Sequence, residues 1–453
     1  MGFIKRRDRP VHLGPYKLEK IKRVDVPTTL IIEDEVERVP RRADGFERAR
    51  HGDYGPRLQE IREREGGVRK NGQQAPMYGA IGGVLRSLVP SHDGPIAGKR
   101  APITQDAGKL AQNIKALAYF LDSDAVGICE TKPYVWYSHR SDGSAVEPYH
   151  KFAIVILIDQ GYETMEAASG DDWISSAQSA RGYMRGAEIG NAIAAYIRSL
   201  GYPARCHSAV DGDVQHLPLI LWAGLGELSR IGEVIINPFL GPRFKSTVVT
   251  TDLPLALESP IDFGLQDFCE KCMKCARECP VSAIPFGPKV MYNGYETWKP
   301  DVQNCSGYRI SNPHGLGCGR CLKMCPWNKV DFPLHRLGRW LAINAPWTRG
   351  FLAKLDDWLG YGNRNPVKKW WFDLTVEDSK VTIPGKTNAR DLRTGKKPPQ
   401  THRVAYYTVD MLPPGDCTDA FPFDRKQGLK VTVEMETPEE ARSRVAGGSS
   451  GQD

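Results

Sequence analysis

Cys269-Glu-Lys-Cys272-Met-Lys-Cys275-Ala-Arg-Glu-Cys279-Pro280, followed by Cys305 and by Cys318-Gly-Arg-Cys321-Leu-Lys-Met-Cys325-Pro326, places eight thiols within 57 residues. The first run has the spacing C-x2-C-x2-C-x3-C-P. Its two-residue gaps let a tight loop aim three thiolates at one cubane, while the cysteine before proline turns towards a second. The second run repeats C-x2-C-x3-C-P, with Cys305 upstream of it. Crossed ligation then gives Cys269, Cys272, Cys275 and Cys325 to one [4Fe–4S] cluster, and Cys305, Cys318, Cys321 and Cys279 to the other. Structural zinc and disulfides are the competing readings of paired C-x2-C. Zinc sites seldom use the longer pattern twice, so two [4Fe–4S] clusters are expected.

Around this run the chain is an ordinary soluble sequence. Its 453 residues suffice for two or three domains, and 41% hydrophobic with 25% charged residues can bury a sizeable core. Cys129, Cys206 and Cys417 lie outside the cluster motifs and read as plain thiols. The net charge of +7 argues only weakly for an acidic partner. The first 70 residues mix arginine and lysine with acids, which reads as a solvated surface rather than a nucleic-acid arm. Arg6-Arg7 is not followed by an apolar stretch, so no twin-arginine signal is read there. No apolar run approaches the roughly 20 residues that cross a bilayer. A cytoplasmic location is expected, with an exported form that has lost its signal as the alternative.

Residues 1–100, rich in proline and glycine, read as an extended wrapping segment. A helix capped by Thr104 or Asp106 follows, with Leu110, Ile114, Leu117 and Leu121 at helical spacing. Ala125–Cys129 reads as a short strand. The unbroken apolar run Phe152–Ile158 reads as a strand buried on both faces of a mixed sheet. A long helix is expected from about Ser175 to Leu200, stopped by Gly201. Along it Tyr183, Ala187, Gly190, Ala194 and Ile197 share one face, on which small residues let either something flat or a neighbouring helix come close.

Ala223-Gly224-Leu225-Gly226-Glu227 is glycine-rich but lacks the spacing of a dinucleotide fingerprint, so it does not imply NAD. Val234–Ile236 reads as a strand and Pro238–Lys245 as a loop. Trp327, Trp340, Trp347, Trp358, Tyr361, Trp370 and Trp371 make residues 326–372 rich in aromatics, expected in a core or as a lid over the cluster region. Beyond Thr375 the chain is polar and proline-punctuated, and Ala446–Asp453 is expected to be disordered.

Roughly 260 residues precede the clusters, far more than an electron carrier needs, which points to an enzyme with its active site upstream. Tyr183-Met184-Arg185, Ala195-Tyr196-Ile197-Arg198-Ser199-Leu200-Gly201-Tyr202, Ala223–Glu227, Pro260-Ile261-Asp262-Phe263-Gly264 and both cysteine runs, in that order, resemble the corrinoid-dependent reductive dehalogenases. The likeness runs from about Ala180 to Lys329 and continues weakly through Asp356–Gly362. It implies an α/β (α+β) nitroreductase-like core binding a base-off corrinoid at about 101–258, and a ferredoxin-like domain with two [4Fe–4S] clusters at 259–335. The wrapping segment 1–100 and an aromatic-rich C-terminal segment 336–453 complete the expected organisation.

By the same resemblance Tyr183 matches the active-site tyrosine and Lys245 its basic companion, while Gly190, Gly224 and Gly226 are candidate cofactor contacts. An ammonium beside a phenol favours the phenolate and so eases proton donation. The implied reaction is R–X + 2e⁻ + H⁺ → R–H + X⁻, with an organohalide substrate and a low-potential donor such as ferredoxin or flavodoxin. No nucleic acid or integral membrane segment is called for. His207-Ser208-Ala209-Val210-Asp211-Gly212 stands where many members carry Asn-Asp or Asn-Gly, and neither His207 nor His216 is expected to ligate cobalt. An epoxyqueuosine reductase, which would offer aspartate as the acid, and a non-catalytic two-cluster carrier are the rival readings.

Overall fold

A four-stranded sheet organises the upstream half of the protein. In the computed structural model, which describes residues 9–15, 17–64, 76–312, 317–377, 380–385, 387–393 and 404–448, helices α1 (Pro76–Ser87) and α2 (Ala107–Phe120) precede strands β1 (Ala125–Glu130) and β2 (Phe152–Asp159). Helix α3 (Ile174–Ser199), strand β3 (Ala204–His207), helix α4 (His216–Trp222) and strand β4 (Phe244–Thr251) follow. The sheet order is β1-β2-β4-β3, and every neighbouring pair is antiparallel. The expected mixed sheet is therefore corrected to an antiparallel one.

The two-faced burial read from Phe152–Ile158 is present. Residues 153 to 158 are all inaccessible to solvent. Ile154, Ile156 and Ile158 join Ile114 of α2 and Ile189 and Ile193 of α3 in one core. Ala153, Val155 and Leu157 face the other way, into a core shared with Leu219, Ile220 and Leu221 of α4. Each buried isoleucine contributes about 2 kcal/mol. Because strand side chains alternate in direction, an unbroken apolar run is what two covered faces require.

Helix α2 is capped by Asp106, whose carboxylate accepts from the amides of Gly108 and Lys109. Helix α3 ends before Gly201, whose φ of +86° suits the left-handed position after a helix.

The second core does not stop at the sheet. It continues through Phe263, Phe268 and Trp327 to Cys269 and Cys325, so the cysteine-bearing lobe and the sheet share one apolar interior. That lobe is built from α5 (Leu265–Cys272), α6 (Lys274–Glu278), α7 (Val302–Ser311) and α8 (Arg320–Met324). Helices α9 (Pro333–Asn344) and α10 (Arg349–Trp358) then pack Ala342 and Ala353 onto the same core. Two terminal helices, α11 (Arg425–Glu434) and α12 (Pro438–Gly448), complete the described chain.

Three expectations about the periphery change. The first hundred residues are not simply extended: helices Gly45–Arg50 and Pro56–Arg64 as well as α1 lie there, with Met77–Ile81 inside α1. Lys22 and Arg23 do pair with Asp262 and Ile261. Buried Arg42 and Arg48 both bind Asp53 and donate to the carbonyls of Cys417, Asp419 and Phe421, joining both ends of the chain. Next, Ala446–Gly448 is helical; the rest of the stretch expected to be disordered lies outside the described residues.

The third change concerns the aromatic stretch. Trp327 and Trp371 are buried, but Trp340, Trp347, Trp358 and Trp370 are exposed, so it is only in part a core. Among the described residues no helix is long and apolar enough to cross a membrane.

Candidate active site

Helix α3 lies unusually close to β4 because its sheet-facing residues are glycines. A Cβ at Gly182 would meet the side chain of Lys245, one at Gly186 would strike Thr247, and one at Gly190 would strike Cys206 and Thr247. Positions 182, 186 and 190 recur every four residues, one face of a helix, and they match alternate residues of β4. This register brings Lys245 to the residue next to Gly182. The Lys245 ammonium sits 4.9 Å from the centre of the Tyr183 ring, over its face. Lys245 belongs to β4, opposite Ile158, and not to the expected loop.

Gly190 accordingly makes room for the sheet. Gly224, at φ +63°, lies against Arg23 and Ser259, and Gly226 against Ile235 and Ile236. The close approach that all three glycines permit on their Cβ side is to protein. Val234–Ile236 contains only the two-residue strand Ile235–Ile236, paired with Glu227 and Leu228.

Two residues before Lys245, Arg243 links the sheet to the cysteine lobe. Its guanidinium binds both oxygens of Asp159 at 2.8 Å and donates to Asn328 Oδ1 at 2.6 Å. Asn328 follows Cys325 by three residues and holds the carbonyl of Lys323 and the sulfur of Met165. A planar donor fork grips both oxygens of a carboxylate and an amide oxygen in one fixed geometry, which a lysine's single ammonium does not reproduce. Sequence reasoning missed this clamp; its proximity to Lys245 was the available signal.

Within the lobe, Met273 adopts φ +50° between α5 and α6, bending the chain so that Cys272 and Cys275 leave one turn. Cys279 and Cys325 each end a short helix in extended conformation. A following proline imposes that conformation.

The mutual electrostatic influence of the thiols falls into two sets. Cys275 and Cys325 each sense Cys269 and Cys272; Cys321 senses Cys305 and Cys279, and Cys318 senses Cys321 and Cys305. Cys275 also senses Cys321, where the sets adjoin. Burial pushes Cys269 and Cys321 up to about 12 and Cys272 and Cys305 up to about 11, because a buried thiolate without metal is poorly solvated.

Among the described residues no three His, Cys, Asp or Glu side chains converge on a point suited to one metal ion.

Buried cations surround this lobe. Lys274 binds Asp356 at 2.5 Å, Asp357 at 2.9 Å and the carbonyl of Tyr361. Arg320 pairs with Glu278, both fully buried. Arg230 donates to the carbonyls of Cys269, Pro285 and Gly287. Burial lowers Lys323 to about 8.

The histidines are occupied elsewhere. His207 Nδ1 accepts from the amide of Asp213 and its Nε2 bonds Thr250, while His216 Nδ1 bonds Ser246.

Comparison with known proteins places this arrangement in context. Residues 268–330 match the family model of a 4Fe-4S dicluster domain. The chain is 30% identical to the tetrachloroethene reductive dehalogenase of Sulfurospirillum multivorans over 312 residues, 60% of this chain and 61% of that protein. It is 36% identical to a Desulfitobacterium hafniense protein of the same name over 232 residues, covering 48% and 40%. Among solved structures, the catabolic reductive dehalogenase NpRdhA superposes with a TM-score of 0.91 at 47% identity, covering 97% of this chain and 63% of that one. A second structure of NpRdhA, in complex with 3-bromo-4-hydroxybenzoic acid, gives a TM-score of 0.90 at 46% identity, covering 97% and 64%. The epoxyqueuosine reductase of Salmonella typhimurium is 28% identical over 158 residues, 32% of this chain and 36% of that one. The chain thus spans less than two thirds of the length of these relatives.

Proposed function

We propose that this chain, which is similar to a reductive dehalogenase along 97% of its length, carries the active site of a corrinoid- and iron–sulfur-dependent enzyme that replaces a carbon-bound halogen by hydrogen. The observation that carries this reading is the Tyr183–Lys245 pair, held where the sheet meets the cysteine lobe.

Cys269, Cys272, Cys275 and Cys325 would hold one [4Fe–4S] cluster, and Cys279, Cys305, Cys318 and Cys321 the other. The corrinoid, when bound, supplies a low-valent metal able to take up the electrons and cleave a carbon–halogen bond. Both ring nitrogens of His207 are engaged in hydrogen bonds, which supports a corrinoid that would be held base-off without that histidine.

Tyr183 donates the proton of R–X + 2e⁻ + H⁺ → R–H + X⁻. Its phenol ordinarily ionises near 10, too high for rapid proton loss at neutral pH. Lys245 offsets this by favouring the phenolate left behind, and the glycine register of α3 holds both groups at one depth. Arg243 fixes the strand carrying Lys245 against the loop after Cys325. Water is kept from the interior of this junction by the continuous apolar core through Phe263 and Trp327.

Halogenated phenols and phenolic carboxylates, of the kind named with the structural relative, are the first substrates to test. Lys245 offers their acidic oxygens a cation. The deciding experiment reconstitutes the protein anaerobically, measures iron and cobalt, and follows halide release with a low-potential reductant. Iron without cobalt, and no halide release across aromatic, alkenyl and alkyl halides, would leave a cluster protein and remove the dehalogenase reading.

A further inference from the structure

An arginine from upstream of the cysteines enters their lobe with no acid to meet it. Residues 229–232 form a turn directly after the two-residue strand Glu227–Leu228. The Ser229 hydroxyl donates to the carbonyl of Val234 at 2.7 Å and accepts from the amide of Ile231 at 3.2 Å. The amide of Gly232 donates back to the carbonyl of Ser229 at 3.0 Å. Gly232, at φ +93°, lies against Trp298 and Pro300, where a Cβ would strike a carbonyl and a ring. Held in this way, Ile231 packs in one buried cluster with Cys275 and Cys279, and Arg230 is only 3% exposed.

Arg230 donates from Nε to the carbonyl of Cys269 at 2.9 Å and from Nη1 to those of Pro285 and Gly287 at 3.0 Å. Its guanidinium lies 4.6 Å from the centre of the Trp298 ring. Other cations of the lobe have acids: Lys274 meets Asp356 and Asp357, Arg320 meets Glu278, and Lys329 meets Asp356. Among the described residues no carboxylate lies within 4.0 Å of Arg230. A lysine so placed can give up its proton, as burial encourages Lys323 to do, whereas a guanidinium stays charged. Leaving a buried cation without an anion is costly. Burial opposes the charge on Arg230; Cys275, Cys269 and Cys272, in that order, favour it, each more than exposed Glu270 does. Those three thiols all belong to the first set.

We propose that Arg230 is the built-in counter-charge of the first [4Fe–4S] cluster, a positioning residue that clamps the Cys269 turn and raises that cluster's reduction potential. The four thiolates and four sulfides of such a cluster outweigh its irons, so it is an anion in both oxidation states and takes on one more negative charge when reduced. A fixed cation beside it, in an interior that screens charge poorly, therefore favours the reduced state. The electron itself comes from an external low-potential reductant. This role of Arg230 depends only on the cluster reading, so it is separable from any failure of dehalogenation.

The test uses cluster-loaded protein with Arg230→Gln, which keeps a donor for the carbonyls without the charge, and Arg230→Lys, which keeps the charge without the fork. Iron is counted, and each sample is titrated anaerobically with dithionite and mediators while electron paramagnetic resonance follows the reduction of each cluster. Cys272→Ser, which alters the signal of the first cluster, tells the two waves apart. In Arg230→Gln the wave of the first cluster is expected to move to lower potential. At fixed ambient potential its reduced-to-oxidised ratio should fall about tenfold or more, which is about 59 mV for one electron. The other wave should move less, and Arg230→Lys should recover most of the shift. A first-cluster wave unmoved in Arg230→Gln, both waves moved equally, or as large a shift in Arg230→Lys overturns the proposal. Should Arg230→Gln fail to hold the first cluster, iron restored to the wild-type count in Arg230→Lys supports the proposal, and iron lost alike from both variants overturns it.

Discussion

Lys245 holds its ammonium 4.9 Å from the ring centre of Tyr183, although 62 positions separate them in the chain. A cation over a phenol ring gains from the ring's negative face, and within the proposed reaction it also stabilises the phenolate. Tyr183→Phe should keep iron and corrinoid while losing about 10²–10⁴-fold in halide release. Lys245→Met should lower kcat more than it changes substrate KM, and move the alkaline limb of the pH–rate profile upward, since the phenol loses its neighbouring charge. Wild-type rates in Tyr183→Phe would remove the proton-donor role.

The glycine register makes a prediction about packing alone. Gly186→Ala places a methyl against the Thr247 side chain, both inside the core. Overpacking of this kind costs about 1–3 kcal/mol. Paired with Thr247→Ala, which removes the nearest struck atom, Oγ1, Gly186→Ala should recover most of that loss in thermal unfolding. No recovery would mean that the helix had shifted instead.

Arg243→Lys keeps the charge but loses the fork that binds Asp159 and Asn328 together. Stability should fall by about 1–3 kcal/mol, since the buried amide oxygen of Asn328 loses a donor. Hydrogen exchange should rise both in β4 and in residues 326–329. A change confined to one of these would show that the clamp does not couple them.

Lys274→Met strands part of the charge on Asp356, which Lys329 then shares alone. Breaking a buried pair from one side costs about 3 kcal/mol or more. Thermal melts of the cluster-free and the loaded protein should both fall, because the pair ties α6 to α10 irrespective of iron.

His207 contributes to the pH dependence, as do His92, His150 and His216, which burial likewise holds below the usual histidine value. Burial, with Arg205 adding to it, holds the His207 pKa well below the usual histidine value of about 6.5; Asp213 opposes this, and His216 and His150 also lower it. The unfolded chain therefore takes up the proton first as pH falls. The stability that neutral His207 contributes is complete above about pH 6.5 and declines below it. The unfolding midpoint should drop between about pH 7 and about pH 5, and less steeply in His207→Gln, whose amide keeps a donor and an acceptor without titrating.

Much of this could be read along the chain because it is local. Helix α3 was expected from about Ser175 to Leu200 and spans Ile174–Ser199; its stop at Gly201 has the backbone angle a helix end favours. The buried strand Phe152–Asp159 followed from seven consecutive apolar residues, Phe152–Ile158. The iron–sulfur pattern followed from cysteine spacing, since ligands on one tight loop are fixed by the intervening residue count. The C-terminal helices α11 and α12 were missed because their apolar pattern is weak and tertiary contact sustains them.

Sequence by itself determined the cysteine motifs, the long helix, the two-faced strand and the resemblance that singled out Tyr183 and Lys245. Tertiary structure alone decided that the sheet is antiparallel, that Gly190, Gly224 and Gly226 serve close packing of protein on protein, and that Arg243 joins the sheet to the loop after Cys325. It alone turned the tryptophans of α9 and α10 outward. The physical reason is that spacing encodes periodicity, and periodicity gives a face but not its neighbour. A stripe of glycine or tryptophan states how closely or how dryly something must pack, and only the folded chain says what lies opposite.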